Sequence, residues 1–202
     1  MLLLPSGPDA VMIELATAGE VAAVRAAVLL AGLPEVVDVV PAARTVLVSC
    51  APGAGTAGVR GLLDGVSPGD LPAPRGRHVT LPVTYDGPDL ELVARTAGLT
   101  TAEVVALHTG AEYAVAFCGF APGFGYLTGL PEPLRQPRLD SPRATVPAGS
   151  VGVAGEYTGA YPRASPGGWR LLGRTAVTLF DPGRERPALL APGDRVRFAA
   201  AS

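Results

Sequence analysis

The side chains best suited to hold an anion gather in one part of the chain. Between Arg135 and Arg174 stand six arginines (135, 138, 143, 163, 170 and 174) against two acids, Asp140 and Glu156. Residues 1–100, by contrast, carry ten acidic groups against six arginines. A guanidinium grips a carboxylate or phosphate through two parallel N–H donors, so such a stretch on an otherwise acidic chain suits an anionic small ligand or an acidic partner face. For any single arginine, a solvated surface position explains it at least as well. Arg143 and Arg174 are the two candidates for holding an anionic substrate group.

Other chemistries lack their residues. All 16 basic residues are Arg, so a Walker-type phosphate loop, a Schiff-base lysine and a Ser-Lys dyad are excluded. Ser150 lies in Ala148-Gly149-Ser150-Val151-Gly152, which breaks the nucleophile-elbow pattern at its first position. His78 and His108 are the only histidines and Cys50 and Cys118 the only cysteines, with no CxxC, so a metal site has no cluster and a disulfide framework no support. Gly53-Ala54-Gly55-Thr56-Ala57-Gly58 spells G-x-G-x-x-G, but a hairpin precedes it and the acids that follow, Asp64 and Asp70, come too early for a dinucleotide site. It reads as a glycine-rich loop. No complete catalytic set is visible, which points to a site finished by another chain.

The stretch from Phe117 to Leu127 offers a surface rather than a reaction. Pro122-Gly123 is a turn dipeptide, bracketed by Phe120, Phe124 and Tyr126. Three aromatics on a loop either tuck inward or line a pocket or an interface. Eleven glycines from Gly119 to Gly173 imply tight turns and close backbone approaches around it.

The elements that must carry these loops follow from periodicity. Val11–Leu15 reads as a strand, Gly19–Leu30 as a helix with apolar residues at Val21, Val24 and Val28, and Val36–Pro41 with Thr45–Cys50 as a hairpin. A short helix over Val59–Val66, a proline-rich connection over Pro68–Pro74 and a strand at His78–Val83 complete the order βαββαβ, which fits a ferredoxin-like half. Asp89–Ala97 and a capping box at Thr100–Glu103 then open two helices. His108, near the end of the second, is explained by the helix macrodipole and free carbonyls, with a role at a site mouth as the alternative. Val151–Val153, Trp169–Leu172, Ala176–Phe180 and Arg195–Phe198 read as short strands of a compact β-barrel-like domain.

With 202 residues, 48% hydrophobic and 17% charged, the chain is long enough for one large or two small cores. Its net charge of −2 gives no ground for a nucleic-acid partner. No run of about 18 apolar residues suggests a membrane span, and Met1–Pro5 lacks the charged and apolar regions of a signal peptide. A cytoplasmic location is expected.

Six motifs in order carry a resemblance that covers essentially the whole chain. They are Gly119-Phe120-Ala121-Pro122-Gly123-Phe124, Val146-Pro147-Ala148-Gly149-Ser150-Val151-Gly152, Thr158-Gly159-Ala160-Tyr161-Pro162, Pro166-Gly167-Gly168-Trp169, Gly173-Arg174-Thr175 and Pro192-Gly193-Asp194-Arg195-Val196. In these the chain resembles the KipI family, also called allophanate hydrolase subunit 1 or the B-type subunit of 5-oxoprolinase (PxpB-like). The resemblance implies an α+β fold with a ferredoxin-like N-terminal lobe (residues 1–76) and a cyclophilin-like, carboxyltransferase-type β-barrel lobe (residues 77–202). It implies a KipA/PxpC-type companion subunit and a LamB/YcsF (PxpA)-type component. Such proteins together open 5-oxoproline to glutamate, with ATP (and Mg) used by the complex and nothing covalently bound to this chain. The resemblance leaves two alternatives: a urea-carboxylase or allophanate-hydrolase type of subunit, and an inhibitor that binds a sensor histidine kinase. The residues expected to face a lactam or amide substrate, or a partner, are Phe120, Pro122, Gly123, Phe124, Tyr126, Pro147, Gly149, Ser150, Trp169 and Arg174. Catalytic roles stay open, with His108 and Arg143 as candidates and no metal ligands. Two departures stand out: Gly125 where the family commonly has Pro, and Tyr157 where it commonly has Gln.

Overall fold

In the computed structural model, which describes residues 1–72 and 76–201, the alternation in Thr45-Val46-Leu47-Val48-Ser49-Cys50 becomes a strand that buries every second side chain. The chain divides into two compact units, Met1–Arg75 and Gly76–Ser202. The first contains β1 (Leu2–Pro5), β2 (Ala10–Glu14), α1 (Ala18–Ala31), β3 (Val36–Pro41), β4 (Thr45–Cys50) and α2 (Ala57–Leu63). The strands form an antiparallel sheet in the order β1-β2-β4-β3. Val11, Ile13, Val46 and Val48 pack with Val21, Val24 and Val28 of α1 and with Val59 and Leu63 of α2. Thr17 and Glu20 close a capping box at the start of α1, and Gly32 ends the helix with φ 58°.

The glycine-rich loop after β4 holds an anion that belongs to the protein itself. The amides of Gly53 and Gly55, both at positive φ, donate to the Asp9 carboxylate at 2.9 and 2.8 Å. These bonds hold the Asp9 carboxyl below its ordinary range. The donors a phosphate would need are therefore taken.

One sequence expectation changes here. The βαββαβ order fails at both ends, because β1 supplies an extra strand and His78–Val83 (β5) pairs parallel with Arg195–Ala200 (β13) in the second unit. Local pattern marks a strand but does not say which edge it joins. The end of the Pro68–Pro74 connection lies outside the described residues.

The second unit continues with α3 (Leu90–Ala97), α4 (Thr101–Gly110), β6 (Tyr113–Cys118), β7 (Gly125–Thr128), β8 (Arg143–Val146), β9 (Ser150–Ala154), β10 (Tyr157–Ala160), β11 (Ser165–Gly167) and β12 (Arg170–Arg174), ending with β13. Seven strands lie in the order β12-β9-β10-β7-β6-β13-β5, while β8 and β11 form a separate ribbon. Reciprocal bonds between Thr84 and Arg174, at 2.8 and 2.9 Å, bring the two outer strands together, so the sheet is a nearly closed barrel. Because those edges meet each other, the segment Ala176–Phe180 finds no strand to join; only Phe180 bridges to Ala188. Asp194 ties the starts of β5 and β13 through the Arg77 amide and guanidinium. Burial pulls its carboxyl up, but these bonds and the Ala191 amide outweigh that and lower it.

His108 corrects a further expectation. It is fully buried and stacked on Phe198 at 4.4 Å, so neither a macrodipole-stabilised cation nor a site mouth describes it. The Thr158 hydroxyl gives its proton to the Gly152 carbonyl (3.0 Å) and therefore accepts from His108 Nε2 (3.0 Å). Nδ1 is then the acceptor for the Tyr85 hydroxyl at 2.7 Å. Burial drives the imidazole pKa from 6.5 down to about 3. Between those values the unfolded chain binds a proton that the fold does not, so stability falls as pH drops below 6.5. Denaturant titrations of the wild type should show about 2 kcal/mol lost from this group between pH 7 and pH 5. His108→Gln should be less stable at pH 7 but lack that component of the pH dependence; an unchanged slope would contradict the neutral assignment.

Candidate functional site

The aromatic loop sends one phenylalanine inward and the other out. After β6, the Ala121 amide donates to the Gly119 carbonyl at 2.8 Å, with Phe120 between them at φ 68°. That is a γ-turn of the strained hand, uncommon for a bulky residue. The Phe124 amide then reaches the Ala121 carbonyl at 2.9 Å across Pro122-Gly123, with Gly123 at φ 84°. A Cβ on Gly123 would come within 2.7 Å of Phe180 Cβ, so both conformation and space demand glycine there. These turns drive Phe124 into a cluster with Tyr161 and Trp169, at ring distances of 5.2 and 5.3 Å. Phe124 is 1% exposed and Phe120 59%.

A cavity of about 360 Å³ opens beside this cluster, lined by Phe120, Phe124, Tyr126, Tyr157, Tyr161, Trp169 and Arg138, among others. Burial raises the pKa of all three tyrosine hydroxyls. They stay neutral at physiological pH; Tyr157 spends its hydroxyl proton on the Glu156 carboxylate, while the Trp169 amide donates to Tyr161, whose own O–H remains available. Gly159 lets the rings lie on bare backbone: its Cβ would sit 3.3 Å from Trp169 and 3.4 Å from Phe124.

The arginines expected to hold an anion lie around a second cavity, of about 520 Å³, with Asp86, Arg143, Pro147, Ser150, Leu171 and Arg174 in its wall. Here the charges are already spent on one another. Arg143 Nη2 meets Asp89 Oδ1 at 2.7 Å and its Nη1 donates to the Trp169 carbonyl at 3.3 Å. The other Asp89 oxygen accepts from the Leu171 amide at 2.7 Å. Arg174 pairs with Asp86 at 2.9 Å. Gly149 is a backbone contact rather than a ligand surface: at φ 81° its Cβ would fall 2.3 Å from the Thr175 carbonyl oxygen.

The structure thus brings Phe120, Phe124, Tyr126 and Trp169 together at the first cavity and places Pro147, Ser150, Arg143 and Arg174 at the second. Pro122 is exposed and Gly123 shapes the turn. His108 lines neither cavity. Sequence reasoning passed over Arg138, one of six arginines with nothing local to distinguish it. Tyr161 was visible only as a member of a motif, and Tyr157 only as a departure from the family pattern.

An α+β chain whose larger unit is a nearly closed barrel with an aromatic cavity beside it defines a class, and the comparisons with known proteins give it a family. The chain belongs to the family of carboxyltransferase domains, subdomain C and D, whose model matches residues 1–190. It is 55% identical over 128 residues to the B-type subunit of 5-oxoprolinase from Escherichia coli O157:H7, a match covering 62% of this chain and 59% of that protein. The crystal structure of TTHA0988 superposes with a TM-score of 0.83 at 42% identity, over 96% of this chain and 40% of that one. The Kluyveromyces lactis urea carboxylase gives a TM-score of 0.71 at 18% identity, over 100% of this chain and 23% of that one, which shows shared fold. The chain therefore spans less than two-thirds of each of these proteins. No helix among the described residues is long and apolar enough to cross a membrane.

Proposed function

We propose that this chain is the B-type subunit of an ATP-dependent 5-oxoprolinase complex, which opens 5-oxoproline to glutamate. It acts in the cytoplasm with a KipA/PxpC-type companion and a LamB/YcsF-type component. In this reading Met1–Arg75 is the ferredoxin-like lobe, Gly76–Ser202 the cyclophilin-like barrel, and the aromatic cavity the substrate site. The observation that carries it is the cavity itself: ring faces, neutral tyrosine hydroxyls and one arginine suit a small cyclic amide with a charged substituent. The name of the 55%-identical relative agrees with that chemistry. Neutral hydroxyl donors aimed at a lactam oxygen would stabilise charge that grows there as the ring opens.

The described residues offer no ready-made cage for a metal ion or a phosphate. Among the described residues no group of three or more His, Cys, Asp or Glu could hold a metal ion. The amides of the glycine-rich loop are occupied by Asp9. In this reading the companion subunits hold ATP with its Mg.

The test is ATP-dependent 5-oxoproline turnover by this chain with both companions and with each omitted in turn. The full set should be active and this chain alone silent. Substantial turnover by the single chain, or a full set that acts on a urea-derived substrate and leaves 5-oxoproline untouched, would overturn the reading.

A further inference from the structure

We propose that Arg138 is the anion anchor of the aromatic cavity, holding the charged substituent of a small planar-ring ligand. The inference rests on the aromatic cavity being the substrate site.

The first ground is charge. Arg143, Arg174, Arg77 and Arg195 each face a carboxylate, from Asp89, Asp86, Asp194 and Glu112 respectively. Arg170 is bound to Gln136 and Thr96. Arg138 makes no ion pair with a carboxylate among the described residues, yet it lines the cavity. A guanidinium left unneutralised beside aromatic walls is a ready partner for an anion.

The second ground is position. The segment carrying Arg138 is pinned on both sides: the Gly155 amide donates to the Gln136 carbonyl at 2.7 Å, and the Leu139 amide to the Gly168 carbonyl at 2.8 Å. Its side chain lies along Gly168, where a Cβ would be 3.5 Å from Arg138 Nε. Gly167, next to it, has its missing Cβ replaced by the Tyr161 hydroxyl, which would be 2.5 Å from such an atom. Both Arg138 and Tyr161 line the cavity. Burial raises the Tyr126 and Tyr161 hydroxyl pKa values while the Arg138 charge pulls both down, as expected of a guanidinium turned toward them.

The third ground is size. A volume of about 360 Å³ lies at the small end of ligand pockets. Ring faces for a flat body, hydroxyls for its polar edge and one cation for its charge describe a compact cyclic acid. A carboxylate on a lactam and a phosphate on a nucleotide share the anion chemistry, so the test separates them.

The experiment is calorimetric titration of the complete complex with 5-oxoproline, with 2-pyrrolidinone (the same ring without the carboxylate) and with ATP. Wild-type complex should bind 5-oxoproline at least about tenfold more tightly than 2-pyrrolidinone, and Arg138→Gln should remove that preference. Arg138→Lys should restore part of it, because charge returns without the planar fork. Loss confined to 5-oxoproline assigns the anion to the carboxylate; loss confined to ATP assigns it to a phosphate. Equal affinity of wild type and Arg138→Gln for both ligands overturns the proposal. So does a wild-type complex that binds neither. A complex that shows the Arg138-dependent preference but no 5-oxoproline turnover would leave the anchor standing and sink the 5-oxoprolinase reading instead.

Discussion

Phe124→Ala is expected to destabilise the barrel unit by about 3–5 kcal/mol, whereas Phe120→Ala should stay within about 1 kcal/mol of wild type. The two residues sit four apart on one loop, but they do different work. Phe124 is buried edge-to-face against Tyr126, Tyr161 and Trp169 at 5.0–5.3 Å, and truncation would leave a void among rings that cannot collapse onto backbone already touching them. Such a loss is a large share of the roughly 5–15 kcal/mol that holds a domain folded. Phe120 touches Phe124 and Tyr161 only from the outside, at 5.4 and 6.2 Å. Its removal should instead weaken ligand or companion binding at the cavity rim. Urea melts of both variants beside turnover by the complete complex separate the roles. A Phe120→Ala chain that melts far below wild type, while its folded fraction retains full activity, would return Phe120 to the core and take the rim away from the site.

Asp89→Ala should cost about 2–4 kcal/mol, because it strands a partly exposed guanidinium on one side and a buried amide on the other. The Arg143 guanidinium would lose its carboxylate and the Leu171 amide its acceptor, both now at 2.7 Å. Arg143→Lys should also destabilise, by about 1–2 kcal/mol, since one ammonium cannot serve Asp89 and the Trp169 carbonyl in the same fork. In this pair the arginine is a fastener for the start of α3 and β12, so its Lys variant should lose melting temperature while the folded protein keeps its affinity for substrate. Arg174→Lys, on an exposed pair, should change stability by no more than about 1 kcal/mol. A double-mutant cycle between Asp89 and Arg143 measures the coupling directly. If it is near zero and Arg143→Lys instead raises KM with stability intact, Arg143 is the ligand anchor after all.

The glycine-rich loop shows how a pattern can be right about physics and silent about occupant. Gly53 and Gly55 do form a nest of amides of the sort that cradles anions. The anion is Asp9, more than 40 residues away in sequence, and no spacing rule within the motif could have named it.

The amino-acid sequence by itself determined the elements whose signals are local. The capping box at Thr100 and Glu103, the hairpin over Val36–Cys50 and the turn at Pro122-Gly123 were all legible, because each depends on bonds or torsions within a few residues. Tertiary structure alone decided the partners. It chose β13 for β5, closed the barrel through Thr84 and Arg174, and so left Ala176–Phe180 without a strand to join. It also turned a helix-terminal histidine into a buried neutral one, by surrounding it with Tyr85, Thr158 and Phe198 from three distant segments. Among six similar arginines it paired Arg143 and Arg174 with carboxylates and left Arg138 facing the aromatic cavity. Side-chain charge is written in the sequence, but whether it is neutralised depends on what folds within about 4 Å of it, and that is set by contacts between residues far apart along the chain.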